Sequence, residues 1–141
     1  MTIAVLGPGG VGGLVAGALD HAGTPVTLVA RESTAELIAA RGLRVSSVRL
    51  GDFVAHPRAV ARLEEPVEAL VVATKATGLH EALERIAAPP ALVVPLLNGL
   101  DHLAVLRERF GEQTVVAGTI RVEADRPEPG VVVHSSPFLR I

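Results

Sequence analysis

Short apolar runs alternate along the chain with stretches of helical spacing, and that alternation predicts an α/β fold. Residues 2–6 and 25–30 read as the first two strands, with a helix over 11–21 between them. Residues 68–74 and 91–97 are almost unbroken apolar runs, as parallel strands buried on both faces should be, although Pro95 suits a central strand poorly. Ser33-Thr34-Ala35-Glu36 reads as a capping box for a helix that runs to Arg41 and stops at Gly42. Residues 43–48 and 53–56 flank Leu50-Gly51-Asp52 and predict a hairpin, while the charged stretch 58–65 predicts a short helix closed by Pro66. Helices are expected over 78–88, ended by Pro89-Pro90, and over 102–110, capped by Asp101. Strands are expected at 115–122 and 131–134, joined by a turn rich in Pro, Asp and Glu, with a last strand at 138–141. The sum is one domain over residues 1–141, a Rossmann-type, doubly wound and mainly parallel sheet with helices on both faces.

Composition leaves this picture standing and removes rivals to it. Hydrophobic residues make up 49% of the 141 and charged ones 20%, which favours a packed core over disorder. A net charge of −2 gives no electrostatic drive toward nucleic acid, and three phenylalanines without Trp or Tyr make no base-stacking surface. Cysteine is absent, in keeping with a reducing compartment. His21, His56, His80, His102 and His134 stand at no metal-ligand spacing, so no metal is expected. No serine sits in a nucleophile elbow and no P-loop lysine follows the glycines, which argues against hydrolase and triphosphatase chemistry. The apolar N-terminus lacks a basic n-region, and residues 87–97 carry three prolines and are too short to cross a bilayer. Neither a secretion signal nor a membrane partner is expected, and the cytoplasm is the expected setting.

The most informative segment is Gly7-Pro8-Gly9-Gly10-Val11-Gly12, between the first strand and the first helix. Gly7, Gly9 and Gly12 fit the G-x-G-x-x-G pattern of a dinucleotide-binding βαβ unit. Gly7 permits the tight turn, Gly9 keeps the main chain bare for a pyrophosphate, and Gly12 lets the helix approach the sheet. The helix N-terminus then offers N–H groups to the phosphates.

Three more residues follow strands expected to be central. Arg31 stands nineteen residues after Gly12, where NAD sites usually carry an acid; a guanidinium there suits the 2′-phosphate of NADP. Glu32 is the competing residue, and a one-residue slip would restore an NAD reading. Lys75 opens a helix, an unfavourable place for a cation unless a phosphate or carboxylate lies near; a solvated lysine is the other reading. Asn98-Gly99 is a strong turn signal in its own right, yet Asn98 is also placed to bond a nicotinamide ribose and a substrate oxygen.

Taken together with Val71-Val72-Ala73-Thr74-Lys75-Ala76, Leu96-Leu97-Asn98-Gly99-Leu100, Gly118-Thr119 and Gly130–His134, the glycine loop and Arg31 resemble the ketopantoate reductase family. The resemblance covers the whole chain and implies NADPH-dependent reduction of 2-dehydropantoate, a 2-oxo acid, to pantoate, a step toward pantothenate. It implies that Arg31 meets the adenosine 2′-phosphate, that Lys75 lies beside cofactor and substrate, and that Asn98 contacts the nicotinamide ribose and substrate. In that family a helical C-terminal domain supplies the proton-donating lysine. That domain is absent from these residues, so the fragment alone is expected to be inactive. A stand-alone NAD(P)-binding sensor module, or a reductase of another 2-oxo acid, remain alternatives. A sheet edge near Ile141 is also open to pairing in a homodimer.

Overall fold

The computed structural model describes residues 1–141. The chain runs β1 (Ile3–Leu6), α1 (Gly10–His21), β2 (Val26–Val29), α2 (Glu32–Arg41), β3 (Leu43–Ser47), β4 (Gly51–Ala55) and β5 (Arg58–Val60). It continues through β6 (Ala69–Val72), a 3-10 turn (Ala76–Gly78), α3 (Leu79–Leu83), β7 (Leu92–Pro95), α4 (Asp101–Phe110), β8 (Ala124–Glu128) and β9 (Val131–His134). Five strands form an all-parallel sheet in the order β5-β2-β1-β6-β7. Strand order reverses between β1 and β6, so the loops leaving those strands part and open a crevice there.

Side chains alternate across this sheet into two cores. Ala4, Leu6, Val29, Leu70, Val72 and Val93 pack with Leu79, Leu83 and Leu106 of α3 and α4. Val5 and Leu28 pack on the other face with Leu14 and Ala16 of α1. Leu28 and Leu70 are fully buried, and each stabilises the fold by about 1.5–3 kcal/mol through lost apolar exposure. Helices therefore cover both faces of a mainly parallel sheet, as the alternation predicts.

A second sheet, β4-β3-β9-β8, was not expected. The predicted hairpin is present, pairing Val45 with Phe53 and Ser47 with Gly51, but β3 also pairs in parallel with β9. Leu43, Val45 and Val132 close over α1, which thus lies between two sheets. Gly13 and Gly17 make this possible: a Cβ at either would stand under 3 Å from a Val132 or Val45 methyl.

Five predicted elements are corrected. Residues 58–65 are not a helix: β5 extends the parallel sheet beside β2, and the charges that suggested a solvated helix are surface pairs, Arg58–Glu65 at 3.0 Å and Arg62–Glu64 at 3.6 Å. Residues 115–122 are not a strand; Val115 bridges Val93, after which Gly118 presses against the Pro95 carbonyl. The acidic, proline-bearing segment read as a turn is itself β8, an edge strand with a register shift between Asp125 and Glu128. Residues 138–141 contribute only the Arg121–Arg140 bridge, so the expected free sheet edge is not formed there. Pro95 ceases to be anomalous, because β7 ends its sheet. The helix expected at 78–88 shortens to α3, since Leu63 bridges Ile86 and takes the main chain out of the helix.

Two caps differ as well. Arg31, not Ser33, is the N-cap of α2, and Leu100, not Asp101, that of α4, with no side-chain cap bond in either. Buried His134 ties the second sheet together. The Ser47 hydroxyl accepts from the N–H groups of Arg49 and Leu50, so it donates to His134 Nδ1 at 2.8 Å. Nε2–H is then the donor toward Ser136 Oγ and the Phe138 carbonyl, both at 3.1 Å.

Candidate functional site

Main-chain bonds carry the ladder past the strand ends and align the loops at one edge. Gly7 N–H donates to the Val29 carbonyl (3.0 Å), Ala73 N–H to Leu6 (2.9 Å) and Leu96 N–H to Val72 (2.8 Å). The loops bearing Arg31, the glycines, Lys75 and Asn98 thus leave from the carboxyl ends of four adjacent strands.

Gly7 takes φ +105°, open to glycine and strained for other residues, and a Cβ there would stand 3.0 Å from the Ala73 carbonyl oxygen. Gly12 is pressed onto the Gly7 carbonyl and Ala73, so it joins helix to turn rather than helix to sheet in general. Gly10 faces the Ala124 carbonyl of β8, which leaves it no room for a side chain. Gly10 is therefore small because of the second sheet, a reason the sequence pattern does not contain. Gly9 differs from all three: a Cβ there would meet nothing within 4 Å.

Gly9 is the N-cap of α1, and the first helical bond is Gly13 N–H to the Gly9 carbonyl at 2.7 Å. The N–H groups of Gly10, Val11 and Gly12 donate to no main-chain or side-chain acceptor. No acidic side chain sits in the first turn to compensate them. Three unpaired donors and the positive helix end beside open space at Gly9 fit an anion such as a pyrophosphate. Beside Gly7, the buried Thr74 hydroxyl also lacks a partner.

Arg31 is exposed, its Nε 3.5 Å from Glu81 Oε1 of α3. Both partners are largely in solvent, so the pair is worth little and a phosphate dianion can displace it. Glu32 is turned elsewhere: its Oε1 lies 3.3 Å from Arg85 Nη1. Hydrogen bonding from its own main chain, then the Arg85 hydrogen bond and charge, hold its carboxyl below the usual value. The two candidates for the adenosine end thus have different partners, Arg31 beside Glu81 of α3 and Glu32 bound to Arg85.

Lys75 is the N-cap of the 3-10 turn, exposed and in no ion pair. Asn98, also exposed, lines a cavity of about 420 Å³ with Val11 of α1, Val122, Glu123 and Asp125. Asn98 and the loop residue Val11 therefore meet in one cavity, whereas Lys75 lies outside it. A broader groove of about 650 Å³ between α3 and α4 holds none of the predicted residues. The sequence pattern misses Glu81, Arg85 and the Glu123–Asp125 wall, whose contacts to the site come from distant parts of the chain. No group of three His, Cys, Asp or Glu is placed to hold a metal ion, and no helix is long and apolar enough to cross a membrane.

Residues 3–139 match the family model described as ketopantoate reductase PanE/ApbA. A 2-dehydropantoate 2-reductase of Halobacterium salinarum is 35% identical over 145 residues, covering 96% of this chain and 46% of that protein. The crystal structure of 2-dehydropantoate 2-reductase from Methylococcus capsulatus superposes with TM-score 0.84 at 27% identity, over 99% of this chain and 47% of the other. A D-mandelate dehydrogenase solved with NADH and anilino(oxo)acetate shares the fold, with TM-score 0.87 at 24% identity over 96% of this chain and 46% of that one. The chain thus spans about half the length of the relatives it matches. Fold, loop and matches agree: the chain belongs to the ketopantoate reductase PanE/ApbA family of oxidoreductases.

Proposed function

We propose that this chain is the cofactor-binding half of an NADPH-dependent reductase that converts 2-dehydropantoate to pantoate, in the service of pantothenate synthesis. The observation that carries the reading is the set of unpaired N–H groups at Gly10, Val11 and Gly12 facing open space at Gly9, with Arg31 at the next strand end. The loop from Gly7 to Gly12 holds the pyrophosphate, and Arg31 clamps the 2′-phosphate, which a planar guanidinium meets with two parallel hydrogen bonds. When bound, NADPH supplies a hydride.

Asn98 orients the nicotinamide ribose and the substrate from its cavity beside Val11. Glu123 and Asp125 wall that cavity with negative charge, so the carboxylate of a 2-oxo acid is held outside that wall, by a cation. Lys75, exposed and in no ion pair, is the cation this half contributes from the loop after β6. Reduction of a ketone also needs a proton for the developing alkoxide. The family resemblance assigns that proton to a lysine beyond this chain, and Lys75 acts here in positioning.

Titration with NADPH and, separately, NADH, followed by dihydronicotinamide fluorescence, tests the reading; the chain has no Trp or Tyr to interfere. NADPH should bind more tightly, and Arg31→Glu should weaken NADPH without weakening NADH. Equal binding of the two nucleotides, or tighter NADH, would overturn it.

A further inference from the structure

Arg31 and Glu32 both reach from the start of α2 to the α3 segment. Arg31 pairs with Glu81, and Glu32 with Arg85. Arg85 is the fixed member of its pair: its side chain is 18% exposed, against 72% for Glu32. Its guanidinium also donates to the Ala61 carbonyl at 3.1 Å. Its own main chain is anchored, because Leu63 N–H donates to the Arg85 carbonyl and Ala87 N–H to the Leu63 carbonyl. An arginine held at both ends thus draws an exposed carboxylate away from its neighbour Arg31.

We propose that Arg85 is a positioning residue for cofactor choice: by holding Glu32 against the α3 segment, it keeps that carboxylate off Arg31 and off the adenosine ribose. The inference rests on the reading of Arg31 as the 2′-phosphate ligand. Once released, Glu32 would act twice in the same direction. It would neutralise the adjacent guanidinium and repel a 2′-phosphate, and it would offer ribose hydroxyls the acceptor that NAD-preferring sites supply at this strand end. Glu32 is ionised at neutral pH, so both effects operate whenever the Arg85 contact is lost.

The test is Arg85→Met, alone and combined with Glu32→Gln, each titrated with NADPH and NADH. Arg85→Met should tighten NADH and weaken NADPH, moving the ratio of dissociation constants toward NADH by roughly twofold to tenfold, the scale of one partly buried charge contact. The double variant should return the ratio to that of the wild type. A gain in NADH affinity is decisive, because a merely structural loss weakens both nucleotides together. An unchanged ratio in Arg85→Met overturns the inference, as does a ratio the double variant fails to restore. Should Arg85→Met not fold, Glu32→Gln alone decides: a ratio within about twofold of wild type supports a carboxylate already held aside, and clearly weaker NADH overturns it. If the wild type binds neither nucleotide, or Arg31→Ala leaves NADPH binding intact, the reading beneath falls and this inference with it. If Arg31 matters and Arg85 does not, this inference alone falls.

Discussion

Gly9→Ala and Gly12→Ala should separate the two jobs of the glycine loop. Gly9 has φ −72° and ψ −169°, a conformation any residue adopts, and its Cβ would meet nothing within 4 Å. Losing a favoured N-cap residue costs up to about 1 kcal/mol, and the stiffer unfolded chain returns about 0.4–1 kcal/mol. The stability of Gly9→Ala should therefore stay within about 1 kcal/mol of wild type. The new methyl occupies the space beside the three free N–H groups, so a phosphate loses one charge-assisted hydrogen bond, about 1.5–3 kcal/mol, or roughly 10- to 150-fold in NADPH affinity. Gly12→Ala is the reverse case: its Cβ would overlap the Gly7 carbonyl and stand 3.2 Å from the Ala73 methyl, so α1 must shift. Overpacking of that kind costs about 1–3 kcal/mol in stability. Urea unfolding and NADPH titration on the same preparations measure both. A Gly9→Ala protein that binds NADPH like wild type would refute the idea that this open space is where the diphosphate rests.

His134→Leu removes the acceptor of the Ser47 hydroxyl proton and one of the two donors to the Phe138 carbonyl, which keeps Ser136, so chemical unfolding should show a loss of about 1–3 kcal/mol with nucleotide preference unchanged. Glu65 has its carboxyl held below the usual value, by the Arg58 hydrogen bond first and then its own main chain. A depressed folded pKa means a contribution present at neutral pH and lost as pH falls through that lowered value. Melting temperatures of Glu65→Gln should accordingly decline less than wild type between about pH 5 and about pH 3. NADPH binding should weaken with added salt more steeply than NADH binding, because the Arg31 contact is exposed and screened; parallel slopes would count against a 2′-phosphate there.

What the sequence revealed and what it hid divide by distance along the chain. β1, the glycine loop and α1 carry their signals within twenty-one residues: an apolar run, then glycines, then helical spacing. β5 was hidden because its charges describe only its exposed flank, while its strand character comes from the pairing of Ala59 with Leu28 and Val60 with Val29. The second sheet was hidden for the same reason, since β3 and β9 meet across more than eighty residues. Within the candidate site, the placement of Arg31, Asn98 and the glycine loop at strand ends was legible. The residue that separates Arg31 from Glu32 was not, because Arg85 lies 53 positions away from its carboxylate partner. Lys75 was legible as an exposed cation at a helical start, but its exclusion from the Asn98 cavity depends on how β6 and β7 sit side by side.

Backbone amide shifts of the ¹⁵N-labelled chain, recorded while 2′,5′-ADP and NADPH are added, test the central claim most directly. The account predicts that NADPH moves the Gly9, Gly10, Val11 and Gly12 amides and that both compounds move the Arg31 side-chain Nε–H. Shifts confined to the α3–α4 groove, or an Arg31 resonance indifferent to the 2′-phosphate, would contradict it.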